Sequence, residues 1–442
     1  MIALLDCNNF YVSCERLFNT KLVNKAVVVL SNNDGCIISR SEEAKNMGIR
    51  MGEPFFKIEK KLIKLGVYVY SSNYPLYADI SKRVMSIIQK SCPILEEYSI
   101  DEVFFDLTFI KNKEIERFCF ELRSRILKWT GIPVSIGIGK TKTLAKVANR
   151  VVKKESEYKV NFNFNGVYKI ISDNQLDFIL KNTKVENIWG IGRRLSIFFD
   201  SINIDNALKL KNVNLKFAKQ KKGILTQKTI LELRGVKCFE IELEKLKKKS
   251  ICVSRSFGEK VFLYKDLQSA LIVYSEKASE KLRKYKLYCE EITVFLQTSR
   301  YEKIYYTNSK SSTFIQQTSD SRKIWIKANY LLSKIYINNL RYNKVGIILS
   351  RLCEKKHIQV SLFKNTLIDE KNKNDENLMK IFDDINKRFG EGKIRISSNT
   401  HSFFYRNKVN HYKKNSNWLM KSSFSSPCYT TQWCDIPKVN IG

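Results

Sequence analysis

Histidine is almost missing from this 442-residue chain, which has three: His357, His401 and His411. Neither a histidine-ligated zinc site nor a Ser-His-Asp triad can therefore be assembled before residue 357. Six prolines and 17 glycines are too few for a collagen-like or Pro/Gly-rich tract. No CxxC or CxxH pair occurs among the eleven cysteines, and the nearest pairs are Cys7 with Cys14 and Cys428 with Cys434. That scatter reads as reduced thiols in a cytoplasmic protein. No apolar run reaches the length of a membrane span, roughly 18 residues or more. The opening Met-Ile-Ala-Leu-Leu-Asp has no basic stretch ahead of its apolar residues, unlike a signal peptide.

Acid is also short. Against 78 Lys+Arg stand 44 Asp+Glu, a formal charge of +34. The excess is positive in every segment and peaks over 245–363, where 24 basic residues face 9 acidic ones. A polyanionic partner follows, nucleic acid or an anionic membrane. No basic helix with a clean apolar face is found, which favours nucleic acid. With 43% hydrophobic residues the chain has material for packed cores. Its length, at roughly 150 residues per domain, suggests about three domains.

Strands are expected at Ile2–Asp6, Ala26–Leu30, Cys36–Ile38, Val67–Tyr70, Ser99–Leu107 and Val134–Ile138. Helices are expected at Ser41–Met47, Leu76–Lys90, Ile115–Lys128 and Thr141–Lys154. Residues 163–175 read as a linker, followed by short helices around the turn Trp189–Arg194. A second, charged linker at 245–250 leads into strand Ser250–Phe257, helix Asp266–Arg283, strand Ile292–Thr298, helix Ser321–Ile337 and strand Lys344–Leu349. This pattern suggests a small α+β domain. A last helix is expected at Asp375–Arg388, and 401–442 shows aromatics with weak periodicity.

The chemistry-bearing residues are carboxylates in apolar surroundings. Asp6 ends the first strand, and Asp101-Glu102 sits in an otherwise apolar one. Unpaired, they are costly to bury; as hard oxygen ligands they suit Mg²⁺. A pair of such ions about 3.5–4 Å apart serves phosphoryl transfer. Adjacent strand residues face opposite ways, so Asp101 and Glu102 reach one site only at a strand end, bend or bulge. The alternative is an exposed sheet face with Glu102 and Asp106 in salt bridges. Ile138-Gly139-Lys140-Thr141 is not a P-loop, because position 134 holds Val where that motif needs Gly. The Lys-rich helix after it reads as a phosphate-contacting face or a solvated surface. Gly190-Ile191-Gly192 followed by Arg193 and Arg194 has the form of a helix-hairpin-helix that holds a DNA phosphate, or of a plain helix–helix turn. Gln359–Phe363 (QVSLF) is either a peptide that docks in a partner's apolar pocket or one more edge strand.

Taken in order, IALLDCNNFYVSCE, VVVLSNNDGCIISRSEEAK, MGEPFFK, SSNYPLYAD, YSIDEVFFDLT, GIGKTKTLAKVAN, WGIGRRL, ELRG, SRSFGE and WLMKSSFSSPCYTT resemble a Y-family translesion DNA polymerase, more narrowly the UmuC-type subunit of bacterial DNA polymerase V. The resemblance implies an α+β multidomain right hand. Palm would be 1–18 and 75–163, fingers 19–74, thumb 164–244 and little finger 245–358. Residues 359–442 would hold a clamp-binding peptide and a C-terminal extension. It implies error-prone, template-directed DNA synthesis across lesions in an SOS-type response. Asp6, Asp101 and Glu102, with the Cys7 carbonyl as a fourth ligand, would hold two Mg²⁺ ions, with Mn²⁺ as a substitute. Tyr11, with Phe10 beside it, would be a steric gate against ribose, and Lys153 would contact the triphosphate. Many members carry Tyr and Arg on the fingers helix; here those positions hold Glu42 and Lys45, of which Lys45 is the nucleotide-binding candidate. Gly190, Gly192, Arg193 and Arg194 would contact DNA, and Gln359, Leu362 and Phe363 a sliding clamp. The implied partners are primer-template DNA, dNTP, the clamp, a processed UmuD-type dimer and a RecA filament, with no membrane. A non-catalytic DNA-binding scaffold and a metal-dependent nuclease are the competing readings.

Overall fold

The structure, a computed structural model, describes residues 1–158, 165–243, 247–302, 304–355, 366–390, 392–396 and 420–436. The chain divides into two compact units. One comprises Met1–Ser31, Gly35–Lys245 and Phe424–Gly442, the other Asn32–Asp34 and Leu246–Ser423.

The first unit begins with β1 (Ile2–Cys7), α1 (Phe10–Phe18), β2 (Val27–Leu30), β3 (Ile37–Arg40), α2 (Glu42–Asn46), α3 (Phe55–Lys64) and β4 (Tyr68–Ser71). It continues with α4 (Tyr74–Ser91), β5 (Leu95–Glu97), β6 (Glu102–Asp106), α5 (Ile115–Thr130), β7 (Val134–Gly139), α6 (Lys142–Lys153), α7 (Glu155–Tyr158) and β8 (Val167–Lys169). Five helices follow: α8 (Asp173–Lys181), α9 (Arg193–Asp200), α10 (Ala207–Lys211), α11 (Leu215–Lys222) and α12 (Ile224–Leu233). The strands form a five-stranded sheet, ordered β5-β6-β1-β7-β8, and a three-stranded sheet, ordered β3-β2-β4. β1 lies between β6 and β7, antiparallel to both, and is buried along its length except at Asp6. A near-continuous apolar run is what a central strand covered on both faces requires. Leu5, Val103, Phe105 and Ile136 join α4 and α5 in one core.

The other face of the sheet is covered by α6. Gly137 makes that approach possible: a Cβ there would lie 2.1 Å from the Asn149 amide nitrogen and 2.3 Å from the Ala145 carbonyl oxygen. The start of α6 is tied to α12 by the buried carboxylate of Glu232, which accepts from the Thr143 amide (3.0 Å) and from the amides of Cys238 (2.7 Å) and Phe239 (3.1 Å).

The second unit has β9 (Ser250–Val261), α13 (Tyr264–Lys284), β10 (Leu287–Thr298), β11 (Thr307–Thr318), α14 (Ser321–Ile335), β12 (Tyr342–Glu354) and α15 (Thr366–Phe389). Its sheet runs β11-β10-β12-β9, antiparallel throughout, with α13 and α14 on its apolar face.

One expectation is corrected, and two features appear that none covered. The linker at 163–175 holds β8, which extends the main sheet parallel to β7, and the start of α8. Val167–Lys169 is too short to show a period, and its place comes from pairing with β7. β11 was not expected: it is an exposed edge strand whose Thr-Asn-Ser-Lys-Ser-Ser run carries no alternation. Residues Phe424–Asp435 belong with the first unit. The Phe424 carbonyl accepts from Ser71 (2.9 Å), and Phe424 donates to the Ser71 hydroxyl (3.1 Å). The Tyr429 ring stacks on Phe18 at 4.6 Å.

Gly137→Ala should lower stability by about 3 kcal/mol, because the atoms the Cβ would meet are backbone atoms of α6, which cannot give way as a flexible side chain could. Gly192→Ala is the control. Its Cβ would meet nothing within 4 Å at φ −83°, so it should cost about 1 kcal/mol or less. Denaturant unfolding of the two variants checks this; equal losses would contradict the close-approach account.

Candidate active site

In the main sheet Asp6 is the direct register partner of Glu102, across the β1–β6 pair. Like charges directly opposite are destabilising, and a third carboxylate stands beside them. Asp101 is not in the strand; it ends the tight turn that leads into β6. Ser99 builds that turn. Its hydroxyl accepts from the amides of Asp101 (3.3 Å) and Glu102 (3.1 Å) and donates to the Asp101 carboxylate (2.6 Å). The strand-end geometry needed to bring both acids to one site is therefore present.

Two lysines of α6 answer this negative charge. Lys153 Nζ lies 2.6 Å from Asp6 Oδ1. Lys146 Nζ lies 3.0 Å from both oxygens of Glu102. Lys146 is also enclosed by aromatic rings, at 4.6 Å from Tyr98, 5.7 Å from Phe104 and 5.9 Å from Trp189. Burial, with the charges of Glu102 and Asp101 added, lifts the Asp6 carboxyl to about 6 against the opposing pull of Lys153. Among the described residues no three His, Cys, Asp or Glu side chains gather closely enough to enclose a metal ion; Asp6 and Glu102 are each paired with a lysine and Asp101 with Ser99. Cys7 buries its thiol and donates its amide to the Asp101 carbonyl (2.9 Å), which fastens β1 to the turn.

Tyr11, on the first turn of α1, is partly exposed; Phe10 beside it is 3% exposed and belongs to the core. The Tyr11 ring stacks on Tyr77, with centroids 4.5 Å apart and planes at 16°, and meets Tyr74 edge-on at 6.0 Å. Lys45 is paired with Glu42 on α2 (2.6 Å). That pairing and the Asn9 side chain hold the Glu42 carboxyl below its usual range, against the upward push of its partial burial.

The Gly190–Arg194 turn behaves as a hairpin. Gly190 has φ +87°, Gly192 caps the N-terminus of α9, and Arg193 and Arg194 are exposed, with no ion pair to either among the described residues. The residues before it form a single 3-10 turn, Val185–Asn187. Trp189 anchors the hairpin, donating to the Tyr98 hydroxyl at 3.0 Å. Gln359, Leu362 and Phe363 lie outside the described residues.

Sequence reasoning missed Lys146 and Glu15. Lys146 carries a signal, since it and Lys153 stand seven residues apart on one helix face. Glu15 carries none; it is a buried acid in an apolar helix, and burial lifts its carboxyl to about 7.

The impB/mucB/samB family description matches residues 5–150, that family's C-terminal domain matches 248–362, and a domain of unknown function matches 376–439. The chain is 36% identical to Protein ImpB of Salmonella typhimurium over the whole of both chains. It is 37% identical to Protein UmuC of Salmonella typhimurium, over 99% of this chain and 100% of that one. A DNA polymerase IV of Desulfatibacillum aliphaticivorans is 25% identical over 89% of this chain and 95% of its own. Among solved structures, a Y-family DNA polymerase chimera of Dbh and Dpo4 superposes with a TM-score of 0.63 at 20% identity, covering 80% of this chain and all of the chimera.

Lys146→Ala would leave Glu102 facing Asp6 and Asp101 without its cation. The expected loss is about 1–3 kcal/mol of stability at neutral pH, with Lys146→Arg recovering most of it. Thermal unfolding of the two variants checks this, and an unchanged midpoint in Lys146→Ala would remove the lysine from the account.

Proposed function

The chain belongs to the impB/mucB/samB family, the UmuC-type Y-family DNA polymerases, and we propose that Asp6, Asp101 and Glu102 are the carboxylates on which its polymerase chemistry is built. It is a DNA-directed DNA polymerase that carries out error-prone synthesis across lesions in the DNA damage response, and it depends on divalent metal. The observation that carries the assignment is the β1–β6 register, which sets Asp6 opposite Glu102 with Asp101 one residue before it. Three acids, of which Asp6 is lifted to about 6 mainly by its burial and only secondarily by the charges of Glu102 and Asp101, are answered by two lysines, and oxygen-only donors of this kind fit a hard divalent cation. The Cys7 carbonyl, on the same strand end, is the fourth donor of this reading.

Two bound Mg²⁺ ions would supply charge at the attacking 3′-oxygen and at the leaving pyrophosphate. The chain's own residues do the rest. The primer hydroxyl gives up its proton to solvent water and its oxygen attacks the α-phosphorus of the dNTP, as the bond from that phosphorus to the pyrophosphate oxygen breaks. Lys153, the more exposed of the two lysines, is placed to turn from Asp6 to a triphosphate. Lys146, caged by three rings, stays with Glu102 and fixes its position. Tyr11, five residues after Asp6, offers its ring to the sugar, where a 2′-hydroxyl would meet steric overlap with no compensating hydrogen bond. Lys45 contributes less than an unpaired cation would, because Glu42 neutralises it. Gly190, Gly192, Arg193 and Arg194 grip the DNA backbone without reading sequence. The domain boundaries follow the right hand, with the palm extended to include β8. The sliding clamp, reached through Gln359, Leu362 and Phe363, a processed UmuD-type dimer and a RecA filament are the proposed protein partners.

Primer extension tests this against a scaffold or a nuclease, which would give no product or degradation. Asp101→Ala should reduce extension below detection while duplex affinity stays within about threefold, since phosphate contacts rather than the carboxylates set that affinity. Extension near the wild-type rate would overturn the metal-ligand assignment. Changing Gln359, Leu362 and Phe363 together to Ala should remove clamp-stimulated synthesis and spare synthesis without the clamp, because a tether raises effective concentration without touching chemistry. Retained clamp binding in a pull-down would contradict it.

A further inference from the structure

The ring under Tyr11 is itself held by a chain of hydrogen bonds that ends in the C-terminal segment, at Ser426 and Pro427. Tyr77 is fully buried, and its hydroxyl donates to Glu15 Oε1 at 2.6 Å. The same oxygen accepts from the Ser426 hydroxyl at 3.0 Å. Asn73 Nδ2 then donates to Ser426 Oγ at 2.9 Å and to the Pro427 carbonyl at 3.0 Å. Asn73 is the N-cap of α4, its Oδ1 accepting from the Leu76 amide, and α4 carries Tyr74 and Tyr77, the two rings that touch Tyr11. Glu15 lies one turn after Tyr11 on α1. Both partners of the stack, and the carboxylate that joins their helices, are therefore braced by one serine of the C-terminal segment. Among the described residues Glu15 has no basic partner, so these two hydroxyls are what compensates its burial.

We propose that Ser426 is a positioning residue for sugar selection: through Glu15 and Tyr77 it fixes the plane of the ring on which Tyr11 stacks, so that discrimination between deoxyribose and ribose depends on the docked C-terminal segment. This rests on the reading of Tyr11 as the gate. A stacked pair constrains tilt, and a gate that excludes one oxygen atom works only if its ring cannot tilt away. Tyr77→Phe keeps the ring and removes the hydroxyl that orients it. Ser426→Ala takes away one of the two donors to Glu15 and one of the acceptors of Asn73 Nδ2, which loosens the same ring from the other end.

The test is the ratio of kcat/KM for a ribonucleotide to that for the matching deoxyribonucleotide, measured with the full chain on a primer-template with Mg²⁺. The ratio cancels any loss of folded enzyme. Tyr11→Ala should raise it strongly; if it does not, the gate reading fails and this proposal fails with it. Given that rise, Ser426→Ala and Tyr77→Phe should each raise the ratio by about fivefold, the effect of one neutral hydrogen bond, and Ser426→Thr should restore it. In the Tyr11→Ala background Ser426→Ala should add nothing further, because the two act through one ring. An unchanged ratio in Ser426→Ala and Tyr77→Phe overturns the proposal while leaving Tyr11 as the gate. Independent, multiplying effects in the double variant overturn it as well.

Discussion

Two carboxylates set directly opposite each other across an antiparallel strand pair are the constraint on which the rest of the first unit turns. The β1–β6 register places Asp6 against Glu102, and the Ser99 turn adds Asp101. Like charges so placed repel, and partial burial on a central strand makes each of them costlier. The chain tolerates this because α6 lies across the same sheet and sends Lys146 and Lys153 to meet the acids. That crossing needs a bare backbone at Gly137, and it needs the helix start pinned, which Glu232 does from α12. A local conflict kept at this expense in an otherwise consistent core marks a functional site.

The aromatic residues around the cluster are organised in two groups. Tyr98, Phe104 and Trp189 enclose Lys146 and bring the hairpin glycines to the edge of the sheet. Tyr11, Tyr74 and Tyr77 form a separate stack at the junction of α1 and α4. The first group holds a charge in place, and the second holds a shape. On the proposed reading of Tyr11 as the gate, this short stack braced by hydrogen bonds would confine shape control to the sugar.

Elements that bury an apolar run were legible in the sequence. Ile2–Asp6, Val134–Ile138 and the helix after Thr141 appear where their patterns put them, and so does Asp6 at the end of its strand, whereas Asp101 and Glu102 were expected inside a strand that begins only at Glu102. β8 and β11 were not legible, since their places come from pairing with a neighbour: Val167–Lys169 is three residues long, and Thr307–Thr318 is an edge with little to bury. The docking of Phe424–Tyr429 was hidden for a related reason. It is held by hydrogen bonds to Ser71, Asn73 and Glu15, and side-chain pairings at such separation leave no periodic trace. Tyr11 was singled out by the resemblance, and what fixes its ring was not legible in the sequence.

The account stands or falls on where the reacting groups gather. A crystal structure of the full chain with primer-template, Mg²⁺ and an incoming dNTP whose α,β-bridge resists cleavage tests it most directly. The account predicts metal density held by Asp6, Asp101, Glu102 and the Cys7 carbonyl, with Lys153 released from Asp6 and the deoxyribose lying over the Tyr11 ring. Metal held by other residues, or a nucleotide bound with Asp6 still paired to Lys153, would contradict it.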